Sequence, residues 1–388
     1  MFTSKTILSQ MQSFIFGYDF KNLVSEYNGD KGIRKFSTKN LMSVMLFVHM
    51  SAKESLRDIV DSLSSKKNLW YHLGLESVSR NNLSYALANR SYEIFEKSFY
   101  FLLSRLQRER GFQSDKRFKF KMPVRILDST TIGLCLSLFD WAKFRTTKGG
   151  IKLHVLINAR EQLPEFLICS NAGEHDIQAA RKMPIVKNSI IVMDKGYMCF
   201  NFLQNINKNG AFFVTRTKSN TQYRILERSK KTHKDIKADW KVQFSSYKKK
   251  EYSEHLRIIR YRDRETNKTY EFMTNNFKLS AKSIADIYKS RWDIELFFKW
   301  IKQNLKIKSF IGTSENAVRI QIWTAMIAYL LTEYIRFKSK SSFSLLKSFR
   351  ILRDNILHNY DLFSLLQEKS PPEIGKDENI DFQMTFGF

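Results

Sequence analysis

The sequence predicts a mixed α/β core, with a helical region before it, a β-rich segment inserted into it and a helical region after it. Three observations carry this. Residues 1–115 show helical apolar spacing throughout. Between 122 and 217, short apolar runs alternate with amphipathic stretches, the order β-β-β-α-β-α-β of a sheet with mixed pairing. Residues 218–277 then alternate polar and apolar side chains at period two and are heavy in Lys and Arg.

Within 1–115, "STKNLMSVMLFVHM" opens at Ser37, a candidate N-cap, and continues with helical apolar spacing. "AKESLRDIVDSLSS" is a second helix, and "SVSRNNLSYALANRSYEIFEKSFYFLLSRLQRER" a third, broken near Asn89. Short helices followed by "SRNNLSYALANR" resemble a helix-turn-helix, which would offer Arg80, Asn81 and Asn82 to a groove; an ordinary helical bundle with polar faces fits the same spacing. A basic linker, "DKRFKFKMP" at 115–123, precedes the core. "VRILDST", "IKLHVLINA", "EFLICSNA", "SIIVMDKGY" and "AFFVTRT" read as strands, and "HDIQAARKMP" and "CFNFLQNINKNG" as helices, the latter ending at Gly210. In the inserted segment "RETNK" marks a hairpin turn. The core resumes at 278–312 with a helix, and 313–388 is helical to about Gln367 before a loose polar end.

Composition narrows the function. Among 388 residues, 65 Lys and Arg face 38 Asp and Glu, giving a net charge of +27 and a pI near 9.8. A folded protein this basic fits a polyanion partner, because neutralising phosphates releases condensed counterions. Cys135, Cys169 and Cys199 are odd in number and lack zinc spacing, which argues against a disulfide framework and fits a reducing cytoplasm. The first twenty residues hold no continuous apolar run of the secretory kind, and "IWTAMIAYLL" at 322–331 is too short to span a bilayer. A cytoplasmic, nucleoid-associated protein is expected.

Two apolar runs end in an acid followed by a turn: Asp128 in "VRILDSTT" and Asp194 in "IIVMDKGY". Sites in open α/β sheets lie at the carboxyl ends of strands, where acids from adjacent strands converge. Paired carboxylates repel unless a cation compensates, and hard divalent ions such as Mg²⁺ take such oxygen ligands. Either Asp alone would serve equally as a turn former or helix cap. Asp140, Asp176 and His175 are rivals in loops or helix starts, and His154 alternates along a strand as a surface or packing residue.

The stretch "YKSRWDIELFFKWIKQNLK" at 288–306 separates one acid from its neighbour. At about 100° per residue, Tyr288, Arg291, Glu295 and Lys302 fall within an arc of about 60°, beside the apolar stripe of Ile294, Phe297, Phe298, Ile301 and Leu305. Asp293 lies on the far side. A simple helix ion pair explains Glu295 with Arg291, at tenths of a kcal/mol, but not the whole line of Tyr, Arg and Lys.

Tyr288-x2-Arg291-x3-Glu295-x6-Lys302 resembles the Y-(2)-R-(3)-E-(6)-K signature of bacterial transposases of the insertion-sequence-four family. "DKGY" at 194–197 is similar to that family's segment around the second catalytic Asp, "LDSTT" at 127–131 to that of the first, and "FFVTRT" at 212–217 to the following strand. The stretch "DKGIRKFSTKNLMSVMLFVHMSAKESLRDI" is similar to the family's N-terminal module. The resemblance implies a ribonuclease H-like core, with a β-strand insertion ahead of the Glu-bearing helix. It implies Asp128, Asp194 and Glu295 as catalytic residues binding two Mg²⁺ (or Mn²⁺) ions, Tyr288, Arg291, Lys302 and Arg216 as DNA contacts, and cut-and-paste chemistry at the inverted-repeat ends of an element. It further implies double-stranded DNA as end and target, a homodimer on that DNA, and a flipped base stacked on an aromatic of the insertion, for which Trp240 is the candidate. A transposase-derived repressor that binds the ends without cutting, and a nuclease that cuts without joining, are the alternatives.

Overall fold

Where a strand is covered on both faces its sequence loses alternation, and "IIVM" at 190–193 is buried at every position. That run anchors a ten-stranded mixed sheet. The computed structural model describes residues 5–75, 77–111, 117–118, 120–146, 148–230, 233–244, 252–305, 307 and 309–367. The linker expected at 115–123 lies partly outside the described residues, and the tail beyond 367 wholly outside them.

Helices α1 (Ile7–Gln12), α2 (Tyr18–Glu26), α3 (Thr38–Ser51), α4 (Leu56–Ser64), α5 (Trp70–Leu73), α6 (Arg80–Asn89) and α7 (Glu93–Arg110) come first. Helix α3 starts at the expected cap: the Asn40 amide donates to the Ser37 hydroxyl, and the Ser37 amide donates back to the Asn40 side chain, a reciprocal box. The strands are β1 (Val124–Leu134), β2 (Lys143–Arg145), β3 (Lys148–Asn158), β4 (Pro164–Asn171), β5 (Ile190–Met193), β6 (Phe212–Arg216), β7 (Tyr223–Arg228), β8 (Ile236–Phe244), β9 (Leu256–Arg262) and β10 (Thr269–Thr274). Helices α8 (Asp176–Arg181) and α9 (Phe200–Lys208) flank β5, and α10 (Ala281–Lys289), α11 (Trp292–Asn304), α12 (Glu315–Lys338) and α13 (Leu345–Asp354) follow β10.

The sheet runs β2-β3-β1-β5-β6-β10-β9-β8-β7, with β4 paired to β3. β3 is antiparallel to β1 and to β4, whereas β1, β5 and β6 are mutually parallel. In the stretch expected as a β-rich insertion, β10 pairs antiparallel with β6, so β7 to β10 prolong the same sheet. The turn at "RETNK" is present, with Asn267 in the left-handed region (φ 54°) between β9 and β10.

One face of the sheet packs against α1 to α7 and α10 to α13 in a single core. Helix α12 is its axis. It is buried from Ile320 to Ile335 on all sides, the polar Gln321, Thr324, Thr332 and Glu333 included, and ends in Arg336 and Lys338, which complement the helix dipole. The N-terminal helices close around it: the His49 ring pairs with Thr324 Oγ1 at 3.0 Å, and Phe99 packs on Trp323. The second face carries a smaller core built on α8, α9 and the apolar residues of β8 and β9. No helix among the described residues is long and apolar enough to cross a membrane. The three cysteines are free thiols.

Candidate active site

Asp128 does not end its strand. β1 continues to Leu134, and Asp128 sits opposite Val155 of β3. What ends there is the parallel pairing with β5, whose last matched pair is Leu127 with Met193. Asp128 and Asp194 are the next residue on each strand, so they stand side by side where the two backbones part. Alternation assigns their face. Leu127 and Met193 belong to the smaller core, so Asp128 and Asp194 project to the other side, the side of α11.

The Glu-bearing helix also differs from the single helix expected. Helix α10 ends at Lys289 and α11 begins at Trp292, joined by a tight turn in which the Arg291 amide donates to the Tyr288 carbonyl. Tyr288 therefore belongs to the preceding helix and packs on Phe272 of β10 with ring centroids 4.7 Å apart. Burial pushes its hydroxyl up to about 12. Arg291, Glu295 and Lys302 keep the shared face assigned by their spacing. Arg291 Nη1 donates to Asp128 Oδ2 at 2.8 Å, and Nη2 to Glu295 Oε1 at 2.5 Å. Lys302 Nζ reaches Thr130 Oγ1 at 2.5 Å and the Thr131 carbonyl at 3.1 Å. Asp293, on the far side, pairs with Arg117 at 2.6 Å.

The electrostatics follow from this packing. Burial pushes the Asp128 carboxyl up; the Ser129 amide and Arg291 oppose it, and the charges of Asp194 and Glu295 reinforce it. Burial works against the charge of Arg291, but Tyr288, Glu295 and Asp128 together hold its guanidinium above the ordinary value. Asp194 caps the short turn that follows β5, accepting from the Gly196 amide at 3.3 Å. Among the described residues no three His, Cys, Asp or Glu side chains gather closely enough to hold a metal ion as they stand. A guanidinium lies between two of the three carboxylates, supplying the compensating charge that the convergence of acids demands.

Arg216 closes β6, its guanidinium 5.0 Å from the ring centre of Tyr270. It lines an 830 Å³ cleft with Lys195, Lys218, Tyr223 and Tyr270, beginning one residue past Asp194. Trp240 is not in this cleft. It is half-buried against the smaller core under Arg260. Sequence reasoning missed Lys195, Lys218 and Tyr270; the lysine within "DKGY" was the available signal. Of the rival acids, Asp176 sits behind the site, accepting from Ser129 Oγ at 2.9 Å with Lys152 at 3.3 Å. Asp140 stands in an exposed turn, and His175 precedes α8 without capping it. His154 is a packing residue, buried and paired with Ser170 at 2.9 Å. Arg80, Asn81 and Asn82 occupy the exposed first turn of α6, beyond its cap Ser79.

Residues 119–331 match the family model of the transposase DDE domain, more than half of the chain. The chain belongs to the DDE transposase family. Residues 3–76 match a second family model, a domain of unknown function (DUF4372). Among relatives, the transposase is 35% identical over 260 residues to a putative transposase, y4zB, of Sinorhizobium fredii, covering 66% of this chain and 71% of the relative. It is 26% identical over 347 residues to a probable transposase for insertion sequence element IS5377 of Geobacillus stearothermophilus, covering 89% of this chain and 88% of the relative. A putative transposase for element IS4SA of Synechocystis is 24% identical over 306 residues, covering 75% of this chain and 82% of the relative. These place the transposase with the insertion-sequence-four type and its activity in DNA transposition. The fold is also similar to that of the piggyBac transposase in a synaptic complex with hairpin DNA, at a TM-score of 0.50 and 8% identity over 91% of this chain and 80% of that one.

Proposed function

We propose that Asp128, Asp194 and Glu295 are the catalytic carboxylates of a ribonuclease H-like core, and that the transposase uses them for cut-and-paste transposition at the inverted-repeat ends of its element. One observation carries the assignment: the β1–β5 register sets Asp128 beside Asp194, and Arg291 reaches from Asp128 to Glu295. The strand order supports the core type, with three antiparallel strands (β4, β3, β1) followed by two parallel ones (β5, β6).

The donor set is all carboxylate oxygen, partly shielded and already balanced by a cation, which suits hard divalent ions such as Mg²⁺ or Mn²⁺. Asp128, Asp194 and Glu295 would hold two such ions, whose chemistry is to activate a water or 3′-hydroxyl and to stabilise the leaving oxygen of an in-line displacement at phosphorus. The protein's own residues do the rest. Arg291 would exchange its carboxylate partners for a phosphate oxygen of bound DNA. Lys302, at the rim of β1, and Arg216, at the end of β6, grip the phosphates on either side, and Tyr288 stiffens the turn that presents Arg291. In the first displacement a water oxygen bonds to phosphorus and the P–O3′ bond breaks, leaving the element with a 3′-hydroxyl. In the joining step that hydroxyl bonds to a target phosphorus and a target 3′-hydroxyl leaves. Two ends must be held together for joining, so the working form is a homodimer on DNA, associated with the nucleoid.

The test is incubation of the protein with Mg²⁺ and a labelled duplex containing an inverted repeat and its flank. Nicked and joined products, absent when EDTA is present, are the expected result. DNA that is bound but never cut would instead identify an end-binding repressor, and cut DNA never joined a nuclease.

A further inference from the structure

A second basic cleft lies away from the carboxylates. It has a volume of 440 Å³, and its walls are the C-terminal ends of α7 and α12 and the turn between β3 and β4. Arg110, Arg160, Arg336 and Lys340 line it, with Glu161 as the acid among them. Below it, Glu333 is 3% exposed and accepts from both Arg110 and Arg336 at 2.9 Å. One buried carboxylate thus serves two guanidiniums, and the cleft keeps an excess of positive charge. Burial pushes the Glu161 carboxyl up, against the pull of Arg110, Arg160 and Arg125.

Cations at helix ends often do no more than complement the dipole, and Arg336 fits that role. Arg160 does not, since it lies in a strand turn rather than at a helix end. Arg160 sits in the β3–β4 turn, held by its amide on Asn158 Oδ1 at 3.1 Å. Lys340 takes the left-handed conformation (φ 51°) just past α12, in a loop closed by the Ser341 amide on the Arg336 carbonyl at 3.1 Å. Arg336 also keeps its Nε buried without a hydrogen-bond partner. Four donors thus converge on a space too polar for an apolar guest and too basic for a cation.

The cleft is connected to the candidate active site by a short chain of contacts. Asp293, two residues from Arg291, pairs with Arg117, and Arg117 also donates to the carbonyl of Ala159, the residue before Arg160. We propose that this cleft is a second phosphate-binding site, which takes the sugar–phosphate backbone of duplex DNA where the duplex continues past the cut. The proposal rests on the reading that the transposase cuts duplex DNA at Asp128, Asp194 and Glu295. The phosphate oxyanion is the recognised group, and its source is a phosphodiester rather than a free anion.

The test is the salt dependence of duplex binding by the full chain carrying Arg160→Gln and Lys340→Gln together. Each lost phosphate contact lowers the slope of log affinity against log salt by about 0.9. The double variant is expected to lose about 1 to 2 in slope and to bind a long duplex several-fold more weakly, while a short duplex confined to the cleavage site binds as it does to the wild type. Nicking at saturating DNA stays unchanged. Lys340→Gln alone, on an exposed loop, gives about half the effect if the double variant folds poorly. Lys182→Gln, a comparably exposed charge outside the cleft, gives none. An unchanged slope on the long duplex overturns the proposal. So does titration with inorganic phosphate that saturates the cleft without altering DNA affinity. Failure of the wild type to cut the DNA it binds would overturn the catalytic reading instead, and leave this cleft's DNA contact to be read from the slope.

Discussion

Replacing Arg291 by Met removes the cation between two carboxylates while keeping the alkyl stem. The structure sets the size of the effect. Arg291 is 21% exposed, Asp128 18% and Glu295 35%, so the Asp128 contact is well shielded and the Glu295 contact only partly. A shielded charged hydrogen bond contributes about 1.5–3 kcal/mol, and the more exposed pair less than about 1 kcal/mol after screening. The metal-free variant should therefore lose about 2–3 kcal/mol. Unfolding entropy of about 2.1 cal/mol/K per residue over 388 residues is about 0.8 kcal/mol/K, so Tm should fall by about 2.5–4 °C. If divalent ions bind these carboxylates as proposed, they should reverse the loss, because in the wild type they would first have to displace the guanidinium. At about a hundred times its dissociation constant an ion adds about 2.7 kcal/mol, and that gain should be larger in Arg291→Met than in the wild type. Calorimetric melting in EDTA and then in Mg²⁺ measures both limbs. An unchanged Tm in EDTA, together with equal Mg²⁺ shifts for the two proteins, would refute the reasoning.

Two further outcomes are expected. Burial lowers the His49 pKa to about 3, so only the unfolded chain takes up its proton as pH falls through about 6.5; stability present at neutral pH is lost on acidification, by about 2 kcal/mol between pH 7 and 5 from this residue. His49→Gln should flatten that part of the stability–pH curve in denaturant titrations. Arg257 holds the buried Asp239 through contacts of 2.6 and 2.8 Å and also bonds the Asn276 carbonyl ahead of α10. Arg257→Ala should cost about 3–5 kcal/mol by urea unfolding, and Arg257→Met with Asp239→Leu together less than that single change.

The sequence made much of this legible because single elements declare themselves locally. The cap at Ser37, the enclosed run of α12 and the acid after "IIVM" need no knowledge of neighbours. The angular spacing of Arg291, Glu295 and Lys302 likewise survives in α11. The misses share a different cause. β1 runs on through "STTIGL" because β3 pairs with it, so Asp128 is mid-strand, and the end that matters is the end of β5 pairing. No Gly or Pro marks the turn between α10 and α11, and the packing of Tyr288 on Phe272 of β10 is a tertiary contact that no local pattern encodes. Trp240 on β8 and Tyr270 on β10 lie on alternating strands of similar composition with β9 between them, and only the β6–β10 pairing decides which ring lies beside Arg216. The bridge from Asp128 to Glu295 spans 167 residues of chain between elements whose meeting no local pattern encodes.

The central claim is that Glu295, rather than the acid two residues before it, completes the carboxylate set. Nicking of labelled inverted-repeat DNA in Mg²⁺ by Glu295→Ala and by Asp293→Ala tests it directly. The account expects Glu295→Ala to bind the end but leave it uncut, and Asp293→Ala to cut. Cleavage that persists in Glu295→Ala would contradict it.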